Sequence, residues 1–187
     1  MSRLLLITTA LLAWLLVSGP VAAKATDFQL LDSRVYLKDD SYLLDARIDV
    51  ALTEGVLEAL NSGVPLEFNL ELEVVEKRPV FWDRVIRSRD RAFRLRYHTL
   101  SRTYLLTRLE NDETSAHHTL SSAIGAMANL KAEPLMRRGG LYRGLRYGVR
   151  LRLGLDLDAL PSPLQVPARF SKDWQLVSPW FKWPLTP

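Results

Sequence analysis

The chain has 187 residues, with 25 Lys and Arg against 21 Asp and Glu for a formal net charge of +4, and no cysteine. The missing thiols exclude disulfides, thiolate metal sites and lipid attachment behind a leader, and so small a net charge disfavours nucleic acid as a partner. Stability must come from a hydrophobic core, for which one domain of about 160 residues is long enough.

The first segment reads as a leader. Arg3 precedes the apolar run Leu4 to Val17, Gly19-Pro20 breaks any helix, and Val21-Ala22-Ala23-Lys24-Ala25 offers the small residues that a signal peptidase seats. Residues 1–25 are therefore read as a signal peptide cleaved after Ala23 or Ala25, and 26–187 as a single β-rich domain. The alternative is an uncleaved anchor, since Leu4 to Ala23 carries no charge and a helix of that length reaches across ~30 Å of hydrocarbon. Only in that case would the chain be held in a membrane by this segment.

Period-two alternation dominates the chain after the leader. Tyr42, Leu44, Ala46, Ile48 and Val50 alternate with Leu43, Asp45, Arg47 and Asp49, and the Asp39-Asp40-Ser41 turn pairs them with a strand around Phe28 to Leu37. Thr53 is positioned to cap a short helix through Val56, Leu57 and Leu60 that Gly63 ends and Pro65 keeps from resuming. Leu66, Phe68, Leu70, Leu72 and Val74 then alternate with Glu67, Asn69, Glu71 and Glu73, which predicts a strand with one face in water. Phe93, Leu95 and Tyr97 against Arg94, Arg96 and His98 give another, followed by Tyr104 to Leu109, a polar turn, and a short strand at Thr114 to His118. A second short helix is expected over Leu120 to Leu130, with Pro134 closing that region. The strongest pattern is Leu145 to Leu157, seven apolar residues alternating with Arg146, Arg150, Arg152 and others.

Six of the ten prolines lie between Pro161 and Pro187, so the tail is expected to be irregular apart from a strand at Asp173 to Val177. About eight strands and two short helices predict a mainly β protein, a single immunoglobulin-like β-sandwich without the antibody disulfide.

The chemistry-bearing residues are few. His98, His117 and His118 are the three histidines, and adjacent histidines on a strand point to opposite faces. No zinc or calcium motif accompanies them, no serine sits in Gly-x-Ser-x-Gly, Ser121-Ser122 is explained by helix capping, and the glycines at 139, 140, 144 and 148 fit no phosphate loop. No catalytic residue, metal ligand or cofactor is assigned, although a metal-assisted periplasmic hydrolase using a histidine and a nearby carboxylate is an alternative.

Arginine is the stronger signal. Arg94 and Arg96 share one strand face, Arg146, Arg150 and Arg152 another, and guanidinium groups recognise carboxylates and phosphates bidentately. These residues either form an anion-binding face or salt-bridge Glu67, Glu71 and Glu73 across strands, the second reading being favoured. Trp82, next to Phe81 and Asp83, and Trp174, Trp180 and Trp183 offer an aromatic patch for a sugar, a lipid headgroup or a partner protein; against that, Trp82 and Trp174 are read as structural, while Trp180 and Trp183, set between Pro179 and Pro184, are candidates for exposure and binding.

The segments Leu57-Glu58-Ala59-Leu60-Asn61-Ser62-Gly63-Val64-Pro65-Leu66, Trp82-Asp83-Arg84, Arg96-Tyr97-His98-Thr99-Leu100-Ser101-Arg102-Thr103-Tyr104, Leu155-Asp156-Leu157-Asp158-Ala159-Leu160-Pro161 and Trp174-Gln175-Leu176-Val177-Ser178-Pro179-Trp180, taken in this order, resemble an exported proteobacterial family, a domain of unknown function. The resemblance implies a one-domain β-rich protein of the Gram-negative envelope and carries over no activity. The resulting expectation is a non-catalytic periplasmic binding or interaction module whose partner is an envelope protein or an anionic envelope component. An inner-membrane-tethered accessory subunit facing the periplasm is the alternative if the leader stays attached.

Overall fold

The computed structural model describes residues 28–186, so the leader expected at 1–25 lies outside the described residues. Nine strands form among them: β1 (Phe28–Lys38), β2 (Ser41–Val50), β3 (Leu66–Lys77), β4 (Arg84–His98), β5 (Thr103–Arg108), β6 (Glu113–His117), β7 (Asn129–Arg137), β8 (Arg146–Leu155) and β9 (Phe181–Leu185). Three α-helices join them: α1 (Glu54–Asn61), α2 (Leu120–Ala128) and α3 (Ser162–Phe170). All pairings are antiparallel, in a three-stranded sheet ordered β1-β2-β7 and a six-stranded sheet ordered β6-β5-β4-β3-β8-β9. The molecule is mainly β, a sandwich of these two sheets.

Alternation places the core. Leu66, Phe68, Leu70 and Leu72 of β3 and Tyr147, Val149, Leu151 and Leu153 of β8 all turn to the inner face and are buried, as are Leu44 and Ile48 of β2. Burying each large apolar side chain contributes about 1.5–3 kcal/mol, so one residue of register slip, which would put this set in water, is strongly disfavoured. Val56 and Leu60 of α1 and Ala123, Ile124 and Met127 of α2 join the same core. Gly63, at φ 88°, ends α1 as its place after the apolar stripe predicts. Thr53 precedes that helix but does not cap it with its side chain; its hydroxyl donates to the Asp173 carbonyl at 2.6 Å and ties α1 to the later chain. The hydroxyl that caps α2 belongs to Thr119, which accepts from the Ser122 amide at 3.2 Å, rather than to Ser121 or Ser122.

Four segments depart from the expectation. β4 begins at Arg84, well before the alternation that predicts it. Its first half carries Arg89 and Arg91 at inner-face positions, opposite Leu72 and Leu70 of β3, where an apolar residue is expected. Both guanidinium groups reach across to Glu133 of β7, at 2.9 and 2.8 Å, and that carboxylate is only 5% exposed. The helix at Leu120 stops at Ala128 and β7 follows at once, running through Pro134; with β2 as its sole strand partner, β7 tolerates a missing amide. Ala132 bulges from that strand at φ 49°, its amide satisfied by Asp45 Oδ1 at 2.7 Å. This bond, with Arg34 2.8 Å from the other oxygen, holds the Asp45 carboxyl below its ordinary range.

The tail is the third and fourth departure. Prolines at the first positions of a helix cost no hydrogen bond, so Pro161 and Pro163 open α3 instead of extending the chain, giving three helices where two are expected. The strand expected at Asp173 to Val177 is a 3₁₀ turn at Lys172–Trp174 followed by a single bridge from Val177 to Gly154, and the true last strand is β9. Gly154 eases that approach, since a β-carbon would sit 3.2 Å from a Val177 methyl and press on it.

Candidate binding surfaces

The outer face of the six-stranded sheet presents the predicted arginines. In register, Glu67 faces Arg94, Glu71 faces Arg152 and Glu73 faces Arg150. Each pair is an ion pair: Arg94 meets Glu67 at 2.7 Å, Arg152 grips both oxygens of Glu71 at 2.8 Å, and Arg150 donates to Glu73. Trp180 lies over this cluster with the Arg150 and Arg152 guanidinium carbons 4.5 and 4.6 Å from its ring centre. Two cations on one indole, each already held by a carboxylate, make a closed arrangement whose donors point inward to partners. Trp180 is accordingly half-buried. Cross-strand pairing therefore consumes three of the five candidate arginines.

Arg96 and Arg146 make no ion pair among the described residues. Arg96, exposed, lines a shallow concavity of about 520 Å³ with Arg94, Glu67, Leu105 and Thr107. Arg146 stands at the other end of the sheet, in register with Lys77, a second cation. Trp183, expected to be exposed, instead turns to the inner face of β9, packs against the core, and donates its indole N–H to Ser33 of β1 at 2.8 Å. It fastens the two sheets at one edge.

The histidines are dispersed. His98 Nδ1 lies 2.8 Å from Ser101 Oγ in the β4–β5 turn, and His117 lies between Ser115 and Ser122 at 2.9 and 3.0 Å. Among the described residues no three His, Asp or Glu side chains gather closely enough to hold a metal ion. Asp156, Asp158 and Arg169 border another open concavity, but they are engaged with Asn69, the Asp158 amide and one another.

The surface that sequence reasoning missed is the tip of the β3–β4 hairpin. Glu76 and Arg84 are the last β3–β4 pair in register, and the chain leaves the sheet from Arg78 to Asp83. Val80, Phe81 and Trp82 at the apex are 81%, 71% and 92% exposed, so Trp82 is not the structural residue that its size suggests. Glu76 takes Arg78 and Arg84 at 3.4 and 2.8 Å, which secures the base of the tip and leaves the apex without a polar tie. The available signal is local: three consecutive apolar residues stand where a strand connection calls for turn chemistry, a pattern that is an error unless it has a use.

Two other segments meet at this end. Arg146 pairs with Lys77, and the Tyr142 amide donates to the Tyr147 hydroxyl at 3.1 Å, which places the chain before β8 at the tip's end of the sheet. Tyr142 and Leu145 are exposed there, next to Arg143 and Arg146. Tyr42 donates to the Thr186 carbonyl at 2.7 Å, while Leu185 pairs with Tyr147, so the β1–β2 turn lies at this same end.

The family model of the domain of unknown function DUF4390 matches residues 25–184, and the chain belongs to that family. No curated protein and no solved structure matches it. Among the described residues no helix is long and apolar enough to cross a membrane.

Proposed function

We propose that this member of the DUF4390 family is a non-catalytic binding module of the Gram-negative envelope, exported to the periplasm, and that it meets its partner through the β3–β4 tip. The leader-like pattern of residues 1–25 supports export. The single observation that carries the binding reading is the exposure of Val80, Phe81 and Trp82 together at an apex that no other part of the described chain covers. Isolated exposed apolar residues are ordinary, but three in sequence, one of them a tryptophan, form the kind of anchor on which binding energy concentrates. The outer-face arginines support the reading less, because Arg94, Arg150 and Arg152 are each already paired with a glutamate.

The test is crosslinking of a C-terminally tagged chain in intact cells. Phe81→Ser combined with Trp82→Ser is expected to lower recovery of envelope-bound chain by about tenfold or more, the effect of losing an aromatic anchor. Arg94→Gln with Arg96→Gln is expected to leave recovery within about twofold, as for surface charges outside an interface. Unchanged recovery for the tip variant, or loss confined to the arginine variant, contradicts the proposal.

A further inference from the structure

The tip differs from an ordinary protein-binding patch in shape and in company. A stable protein interface spreads over about 800 Å² per partner with a rim that excludes water around its anchors. Here the apolar residues form a narrow wedge that projects past the last β3–β4 pair. Trp settles at the level of lipid headgroups, where its apolar ring and its polar N–H are both satisfied, and Phe beside it supplies apolar area to the acyl boundary.

The charges around the wedge are unequal. Lys77, Arg78 and Arg84 flank it in sequence, Arg146 stands in register with Lys77, and Arg138 and Arg143 border Asp40 of the β1–β2 turn at the same end. Arg78 and Arg84 share Glu76, and with Asp83 in the tip and Asp39 and Asp40 in the neighbouring turn six cations stand against four carboxylates at this end. Among the described residues Arg138, Arg143 and Arg146 make no ion pair. On the outer face of the same sheet Arg94, Arg150 and Arg152 are, by contrast, each matched by a glutamate of their own. Exposed Tyr142 and Leu145 stand next to Arg143 and Arg146.

We infer that the Val80-Phe81-Trp82 tip, flanked by Lys77, Arg78, Arg84 and Arg146, docks this end of the sandwich on a membrane surface rich in anionic phospholipid. This rests on the binding reading above and names its partner. The aromatic wedge enters the headgroup region while the guanidinium groups stay at phosphate level, each basic residue near the surface being worth roughly fivefold in partitioning. The inference orients the molecule: β3 and β4 stand up from the surface, and the β4–β5 turn with Leu100 points away, at the other end of β4.

The absence of cysteine makes the test direct, because a single introduced thiol is the only one to label. The full chain carries an environment-sensitive fluorophore at Val80→Cys or, separately, at Leu100→Cys, an equally exposed position at the far end. With vesicles of phosphatidylglycerol and phosphatidylcholine, the probe at 80 is expected to brighten about threefold and to be quenched by brominated lipid, while the probe at 100 stays aqueous. Raising the salt from roughly 0.05 to 0.5 M, or using phosphatidylcholine alone, is expected to abolish most of the signal. Adding Phe81→Ser and Trp82→Ser to the chain labelled through Val80→Cys is expected to remove it, and circular dichroism of that variant checks that the sandwich is intact. An unchanged probe at 80, equal responses at both ends, or a response indifferent to the serine pair overturns the inference. If the tip still governs envelope crosslinking in cells while vesicles leave the probe at 80 unchanged, the lipid partner is wrong and the binding module stands. If neither responds, both fall.

Discussion

One hairpin contains two opposite treatments of the same residue types. At the base of β3–β4, Phe68 and Phe93 face each other in register and are buried, and Arg94 is held by Glu67. At the tip, Phe81 and Trp82 stand in solvent and the basic residues nearby outnumber the carboxylates. The base shows how this chain uses aromatic and arginine side chains when their partners are internal. The tip shows the same chemistry without internal partners, which is why a partner outside the chain is the economical account of it.

The comparison makes a general demand: substitutions at internally partnered groups must cost stability, and substitutions at the tip must not. The largest effect is expected at Glu133, whose replacement by Gln strands Arg89 and Arg91 between the sheets. Because both arginines keep partial contact with water, the expected loss is about 2–4 kcal/mol in urea unfolding, somewhat under that for a fully buried pair. Replacing all three residues with leucines is expected to recover most of that loss, which would show that the network specifies the sheet pairing more than it stabilises it.

A smaller cost is expected from Trp180→Ala, about 1–2 kcal/mol, since it removes the ring from over Arg150 and Arg152 and exposes the Glu71 and Glu73 pairs to water. Asp45 gives the pH dependence. Its carboxyl is depressed in the folded chain, chiefly by the Ala132 amide, so its stabilisation is present above the unfolded carboxyl pKa of about 4 and is lost as pH falls through the lower folded value. Asp45→Asn is therefore expected to destabilise at neutral pH and to converge on the parent chain in acid, as read from thermal midpoints across the pH range. The smallest stability effect belongs to the tip, where Phe81→Ser with Trp82→Ser should leave unfolding within about 0.5 kcal/mol of the parent. A large loss there would mean that the tip has an internal partner, and the contrast with the base would fail.

The same contrast explains what can be read from sequence. β2, β3 and β8 are legible because their neighbours lie on both sides and the core demands strict alternation; the Glu67–Arg94, Glu71–Arg152 and Glu73–Arg150 pairs follow from that register. The first half of β4 is illegible because Arg89 and Arg91 sit where leucine is expected, and their satisfaction depends on Glu133, 44 and 42 residues away in sequence. β7 is hidden by Pro134 and the Ala132 bulge, both tolerable on a strand with one partner. α3 and β9 are hidden by their prolines: Pro161 and Pro163 open the helix where no amide is needed, Pro167 lies inside it at the loss of one bond, and Pro184 sits on an edge strand. The tryptophans mislead for the same reason: the prolines beside Trp183 argue for exposure, whereas Pro184 on an edge strand leaves Trp183 free to turn inward. Trp82 reads as a core plug only when its size is weighed without regard to where the hairpin turns.

The central claim is that contact with the partner is made at the tip and not on the arginine face. Photo-crosslinking in living cells tests it most directly, with benzoylphenylalanine placed at Trp82 in one strain and at Arg96 of the outer face in another. The account predicts adducts with envelope material from position 82 and none above background from position 96. Adducts from 96 with none from 82 would contradict it.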